Sequence, residues 1–109
     1  MTKGKLVLIF MVLVVDMLFM PAFGQTTADA WNNEGVALYK QGKYNEAIEA
    51  CDEALILDPN NVAAWFNKGL ALRELGKYNE AIEAYDKALI LDPSDAEAWN
   101  SIGIALDDQ

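Results

Sequence analysis

Between residues 62 and 74, Trp65, Gly69 and Leu72 recur at alternating four- and three-residue intervals, with Ala64, Ala71 and Leu75 beside them. That spacing keeps one apolar stripe on one side of an α-helix. Residues 78–91 repeat the device with Tyr78, Ala81, Ile82, Tyr85, Ala88, Leu89 and Leu91, while acids fill much of the other face. Both stretches are predicted to be amphipathic helices. Gly42 and Gly76 are predicted to end first helices, because glycine adopts the left-handed backbone of a C-terminal cap without strain. Asp58-Pro59 and Asp92-Pro93 stop the second helices, since the proline ring disfavours α geometry in the residue before it. Thr26, Asn60 and Ser94 are predicted N-caps, and Ser94 with Glu97 forms a capping box. Trp31, Trp65 and Trp99 are predicted to face the partner helix of their own unit as core residues.

The pattern is written more than once. GKYNEAIEA occurs at 42–50 and again at 76–84, and the match extends over 42–59 and 76–93 with only Cys51/Tyr85 and Glu53/Lys87 differing. Trp31, Trp65 and Trp99 fall 34 residues apart, as do Gly35, Gly69 and Gly103, and Leu38, Leu72 and Leu106. A fixed period of this length signals an array of two-helix units, none able to bury its apolar face alone. The run W-x₂-x-G-x₂-L, then G-x-Y-x-E-A-x₃-(C/Y)-x₂-A, then D-P resembles the tetratricopeptide repeat. The resemblance covers units 28–61 and 62–95 and the partial unit 96–109. It implies an all-α solenoid of antiparallel helix pairs coiled into a right-handed superhelix. One departure lies three residues after each Trp, a place usually apolar in the family: Glu34 and Lys68 stand there, then Ile102. Glu34 and Lys68 are expected to pair across stacked helices, worth at most about 1 kcal/mol when exposed.

The first 24 residues follow a different pattern. Lys3 and Lys5 precede an apolar run from Leu6 to Met20 broken only by Asp16, then Pro21 and Ala22-Phe23-Gly24. A basic start, an apolar middle and a small-x-small exit read as a secretory signal peptide cut between Gly24 and Gln25. The alternative is an uncleaved anchor, since Leu6 to Phe23 approaches bilayer length. Both readings place residues 25–109 outside the cytoplasm, and membrane contact then runs only through the N-terminal segment.

Composition narrows the function. Residues 25–109 hold six basic and sixteen acidic side chains, a net charge of −10. Phosphate backbones and anionic lipid surfaces demand the opposite balance, so neither nucleic acid nor an anionic membrane is an expected partner. The chain has no His, which removes the usual general base and the commonest transition-metal ligand. Cys51 is the only cysteine, so no intrachain disulfide forms, and its place on the apolar stripe marks it as a small buried hydrophobe. Asp58, Asn60, Asp92 and Asp95 lack the glycine-centred spacing of a calcium loop and are assigned to turns and caps. Glu46, Glu49, Glu53, Glu80 and Glu83 fall on the polar stripes of the second helices, a solvated face. No catalytic residue, metal site or cofactor is expected, and the chain is expected not to be an enzyme.

What remains is surface. The family resemblance implies a concave groove lined by first helices, holding an extended peptide or a partner helix. Carried over by position, the groove candidates are Asn32, Asn33, Val36, Tyr39 and Lys40, then Phe66, Asn67, Leu70, Arg73 and Glu74. Asn100, Ser101, Ile104 and Asp107 follow in the last helix. Asn33, Asn67 and Ser101 share one register and are expected to form a polar ladder suited to a peptide backbone, or else to bond local backbone. Val36, Leu70 and Ile104 share another register and form an apolar series, either open to a partner or packed on a preceding second helix. Relatives that grip the acidic tails of heat-shock chaperones use Lys, Asn, Asn, Lys and Arg at set groove positions. Here the matching residues are Asn32, Val36, Asn67, Asn100 and Ile104, so that clamp is not expected. An alternative reading is a self-associating array or a fragment of a longer repeat protein, joined through the open C-terminal helix.

Overall fold

The computed structural model describes residues 23–109, with side chains from Thr27 onward. Five helices follow one another: α1 (Phe23–Lys40), α2 (Tyr44–Leu57), α3 (Val62–Glu74), α4 (Tyr78–Leu91) and α5 (Ala96–Asp108). The proposed leader lies in the main outside the described residues, and α1 runs through its proposed cut position. Thr26 is therefore not an N-cap, because α1 already begins at Phe23 and places it inside the helix.

The turns form for local reasons. Gly42 and Gly76 both have φ of 78°, and the amides of Lys43 and Lys77 reach back to the carbonyls of Leu38 and Leu72 at 2.9 Å. That closure satisfies carbonyls the helix end would leave bare, as the sequence predicts. After Asp58 and Asp92 the chain makes a proline turn, with Asn61 and Asp95 amides donating to the Asp58 and Asp92 carbonyls at 3.1 and 3.2 Å. The predicted caps are shifted by one residue. Asn60 and Ser94 amides donate to the side-chain Oδ1 of Asp58 and Asp92, so both residues are consumed in the turn. Asn61 and Asp95 are the N-caps, accepting from Ala64 and Ala98 amides at 3.0 and 3.1 Å. With Asp95 as cap, Glu97 sits one residue too early, so Ser94 and Glu97 form no capping box.

Packing is built on small residues. Ala47, Ala50, Ala54, Ala64, Ala71, Ala81, Ala88 and Ala105 are all essentially buried, which lets paired helices approach closely. Cys51 lies against Gly35, and the Tyr85 ring lies against Gly69. Trp31 is buried in the first cluster, and Trp65 is half-buried between the two clusters with its indole N–H on the Pro59 carbonyl at 2.9 Å. Trp99 departs from the core assignment: it is 60% exposed, and among the described residues only α4 and α3 pack on its helix. Lys68 pairs with Asp52 on α2 at 2.7 Å rather than with Glu34, and lies 5.7 Å from the Trp65 ring centroid. Asp52 is reachable because α3 packs directly on α2.

Candidate functional site

The first helices of the three units are α1, α3 and α5. α1 approaches α3 and α3 approaches α5, whereas α2 and α4 have no Cα pair within 8 Å among the described residues. A stack drawn together along one row and splayed along the other bends toward the first row. The concave face therefore belongs to α1, α3 and α5.

Side chains bridge α1 and α3 along that row. Asn67 Nδ2 donates to Asn32 Oδ1 at 3.0 Å, and Tyr39 OH and Asn61 Nδ2 make longer contacts of 3.4 Å to Glu74 and Asp29. Arg73 lies 3.4 Å from the Glu74 carboxylate, so much of its charge is answered locally. Burial and the neighbouring Glu74 raise the Tyr39 hydroxyl pKa above its ordinary value, keeping it a neutral donor.

In the register Asn33, Asn67 and Ser101, Asn33 is exposed, Asn67 is half-buried and bonds Asn32, and Ser101 is buried with 7% exposure. Each helix turns one flank to its predecessor and the other to its successor, and two of the contacts join residues 35 apart, Asn32 to Asn67 and Tyr39 to Glu74.

Val36 and Leu70 are half-buried and Ile104 is 40% exposed. Leu70 and Phe66 spend part of their surface on the second core cluster, and the Phe66 ring lies 5.6 Å from that of Tyr85. Tyr39 packs at 5.5 Å on Tyr44. Lys40, Asn100 and Asp107 are exposed at the margins. Once Asn67 has donated to Asn32, the pair still presents the Asn32 amino group as donor and the Asn67 carbonyl as acceptor. That is the complement of one peptide unit. Sequence spacing gave both asparagines as candidates but not their pairing. The signal that would have found it is the 35-residue offset between facing flanks.

Away from the groove, burial pushes the Cys51 thiol up to about 12, with Asp52 adding to the shift. A thiol so held is inert packing, as its place on the apolar stripe indicates. Among the described residues no three or more His, Cys, Asp or Glu side chains gather as a metal site, and no helix is long and apolar enough to cross a membrane.

The geometry agrees with known families. Profiles described as tetratricopeptide repeat match residues 28–61 and 50–83, and one described as TPR repeat matches 69–109. The chain belongs to the tetratricopeptide-repeat family. A comparison with curated proteins returns no match. Among solved structures, the first TPR of Spaghetti (RPAP3) bound to the HSP90 peptide SRMEEVD is similar at a TM-score of 0.72 and 26% identity, over 73% of this chain and 64% of that one. The second TPR domain of human RPAP3 in complex with the HSP70 peptide SGPTIEEVD has a TM-score of 0.71 and 32% identity, over 72% and 66%. The Arabidopsis OM64 TPR domain has a TM-score of 0.71 and 28% identity, over 73% and 66%. The chain thus spans about two thirds of the length of these domains, a little less for the first.

Proposed function

We propose that this chain is a non-catalytic interaction module that holds an extended, mainly uncharged peptide along the concave face of α1, α3 and α5, outside the cytoplasm. The observation that carries the reading is the Asn32–Asn67 pair beside the apolar series Val36, Leu70 and Ile104. A backbone-reading amide pair fixes the strand direction, and apolar positions on either side take alternate side chains. The peptide-bound RPAP3 domains support a peptide ligand in general. The ligand here differs in charge: Asn32, Val36, Asn67, Asn100 and Ile104 offer no cation to an acidic tail, and the residues beyond the leader carry a net charge of −10. Export rests on Lys3, Lys5 and the apolar run after them, and intact-mass analysis of protein collected outside the cell would show cleavage after Gly24.

The deciding experiment is fluorescence anisotropy with a panel of labelled extended peptides. Neutral, apolar-rich members bind, and the acidic tails SRMEEVD and SGPTIEEVD bind at least about tenfold more weakly, a difference of about 1.4 kcal/mol. Val36→Glu and Asn67→Ala each lower the affinity of the neutral peptides. Equal or tighter binding of the acidic tails, or neutral binding indifferent to both substitutions, rejects the assignment.

A further inference from the structure

A crevice of about 230 Å³ opens between α3 and α4. Trp65, Leu72 and Ala84 give it an apolar floor, and Lys68, Glu80, Glu83 and Lys87 stand around it. Lys68 reaches Asp52 on α2 at 2.7 Å, which places the crevice in the gap where α2 and α4 splay apart. It therefore lies on the convex side, bounded by α2, α3 and α4.

The crevice is also where two otherwise matching units part company. Lys87 stands where the first unit has Glu53, one of only two differences between 42–59 and 76–93, and Lys68 stands where it has Glu34. Glutamates serve the first unit at both positions, so the lysines bring charge rather than fit. That charge is laid out in order. Gly69 lies against Tyr85 and the two helices run antiparallel, so Leu72 is level with the Glu80–Glu83 turn and Trp65 with the turn around Lys87. Asp52 answers Lys68, whereas Glu80, Glu83 and Lys87 have no ion-pair partner among the described residues. The Trp65 N–H is already given to the Pro59 carbonyl at 2.9 Å, which leaves its ring as apolar surface. One end of the crevice is thus acidic and the other basic, over an oily floor.

The complement is a segment carrying a cation and an anion at a set distance. Arginine suits the acidic end, because its guanidinium fork can bridge two carboxylates one helical turn apart while its stem lies on Leu72 and Ala84. Glu83 and Lys87 are four helical residues apart, a rise of about 6 Å. Two residues of extended chain span about 7 Å and send their side chains to one face. We propose that this convex crevice binds an extended segment of a partner protein bearing an arginine and, two residues away, a carboxylate. The arginine seats between Glu80 and Glu83, and the carboxylate meets Lys87. The site is separate from the concave groove and independent of it.

The test titrates the full chain into a labelled peptide, Gly-Gly-Arg-Ala-Glu-Gly-Gly, and follows its anisotropy. Saturable binding is expected by about 1 mM. Glu80→Gln together with Glu83→Gln weakens it by at least about tenfold. Lys87→Glu installs the residue type that the first unit already carries at Glu53, so the fold is kept. It erases the preference for this peptide over one with Gln in place of the glutamate. The groove variant Val36→Glu leaves binding within about twofold. Four outcomes overturn the proposal. The first is no saturation up to about 1 mM peptide, and the second is binding indifferent to the Glu80, Glu83 and Lys87 changes. The third is equal or tighter binding of Gly-Gly-Arg-Ala-Arg-Gly-Gly, which would reflect only attraction to the net charge of −10 on residues 25–109. The fourth is light scattering that shows a dimer lost in Lys87→Glu, which would make a second copy of the chain the occupant.

Discussion

Three glycines at equivalent positions give substitutions of opposite sign. Gly69→Ala forces a methyl into the Tyr85 ring, whose Cε1 and Cδ1 would lie 2.4 and 2.6 Å away. Tyr85 is fully buried and cannot swing clear, so overpacking of about 1–3 kcal/mol outweighs the helix-propensity gain. Gly103→Ala meets open space and keeps that gain, about 0.5–1 kcal/mol of stabilisation. Urea unfolding followed by circular dichroism separates them, and a shared sign would refute the assigned contacts. A second prediction concerns alkali. Burial pushes the Cys51 thiol and the Tyr85 hydroxyl up to about 12, above the range where each ionises in an unfolded chain. Raised acids of this kind add stability that is intact below their unfolded pKa and is lost as pH climbs to the folded one. The urea midpoint is therefore expected to fall between about pH 9 and 12. Tyr85→Phe should flatten that fall and cost little at neutral pH, because the hydroxyl is buried beside Ser101 without a hydrogen bond of good geometry.

Helices were legible and their ends less so. The two apolar stripes and the Gly and Asp-Pro stops place α2, α3, α4 and α5 close to their observed spans, because amphipathic periodicity is the signal that burial acts on. The caps slipped by one residue. Asn60 and Ser94 are as fit to cap as Asn61 and Asp95, and only the competing side chains of Asp58 and Asp92 decide between them. A local pattern cannot rank two adjacent cap-capable residues without that turn. Asn61→Ala and Asp95→Ala are each expected to cost about 1 kcal/mol. Asn60→Ala and Ser94→Ala should cost clearly less, since neither side chain caps a helix, although the Ser94 hydroxyl does bond Asp92 at 2.7 Å. Chemical denaturation of the four variants checks the order, and an inverted order would return the caps to Asn60 and Ser94.

At the scale of the whole molecule, the repeat period gives the architecture but conceals how units meet. Residues 34 apart are equivalent and therefore parallel, whereas the bonds Asn32–Asn67 and Tyr39–Glu74 join residues 35 apart, an offset that the period alone does not show. The same one-dimensional logic ranks local stability. α3 touches all four other helices, while α5 rests on α4 and the edge of α3. In a linear array each unit draws its stability from its neighbours, so a helix with one open side opens first. Hydrogen exchange by mass spectrometry should find the amides of α3 and α4 most protected and those of α5 least, with fast opening around Trp99 to Leu106. Acrylamide should quench Trp99 more readily than Trp31, whose indole is 4% exposed. Trp31→Ala should cost about 3–5 kcal/mol, against well under half of that for Trp99→Ala. Protection of α5 equal to that of α3 would mean that the face around Gly103 is not open in solution and that a second copy or the chain itself already closes it.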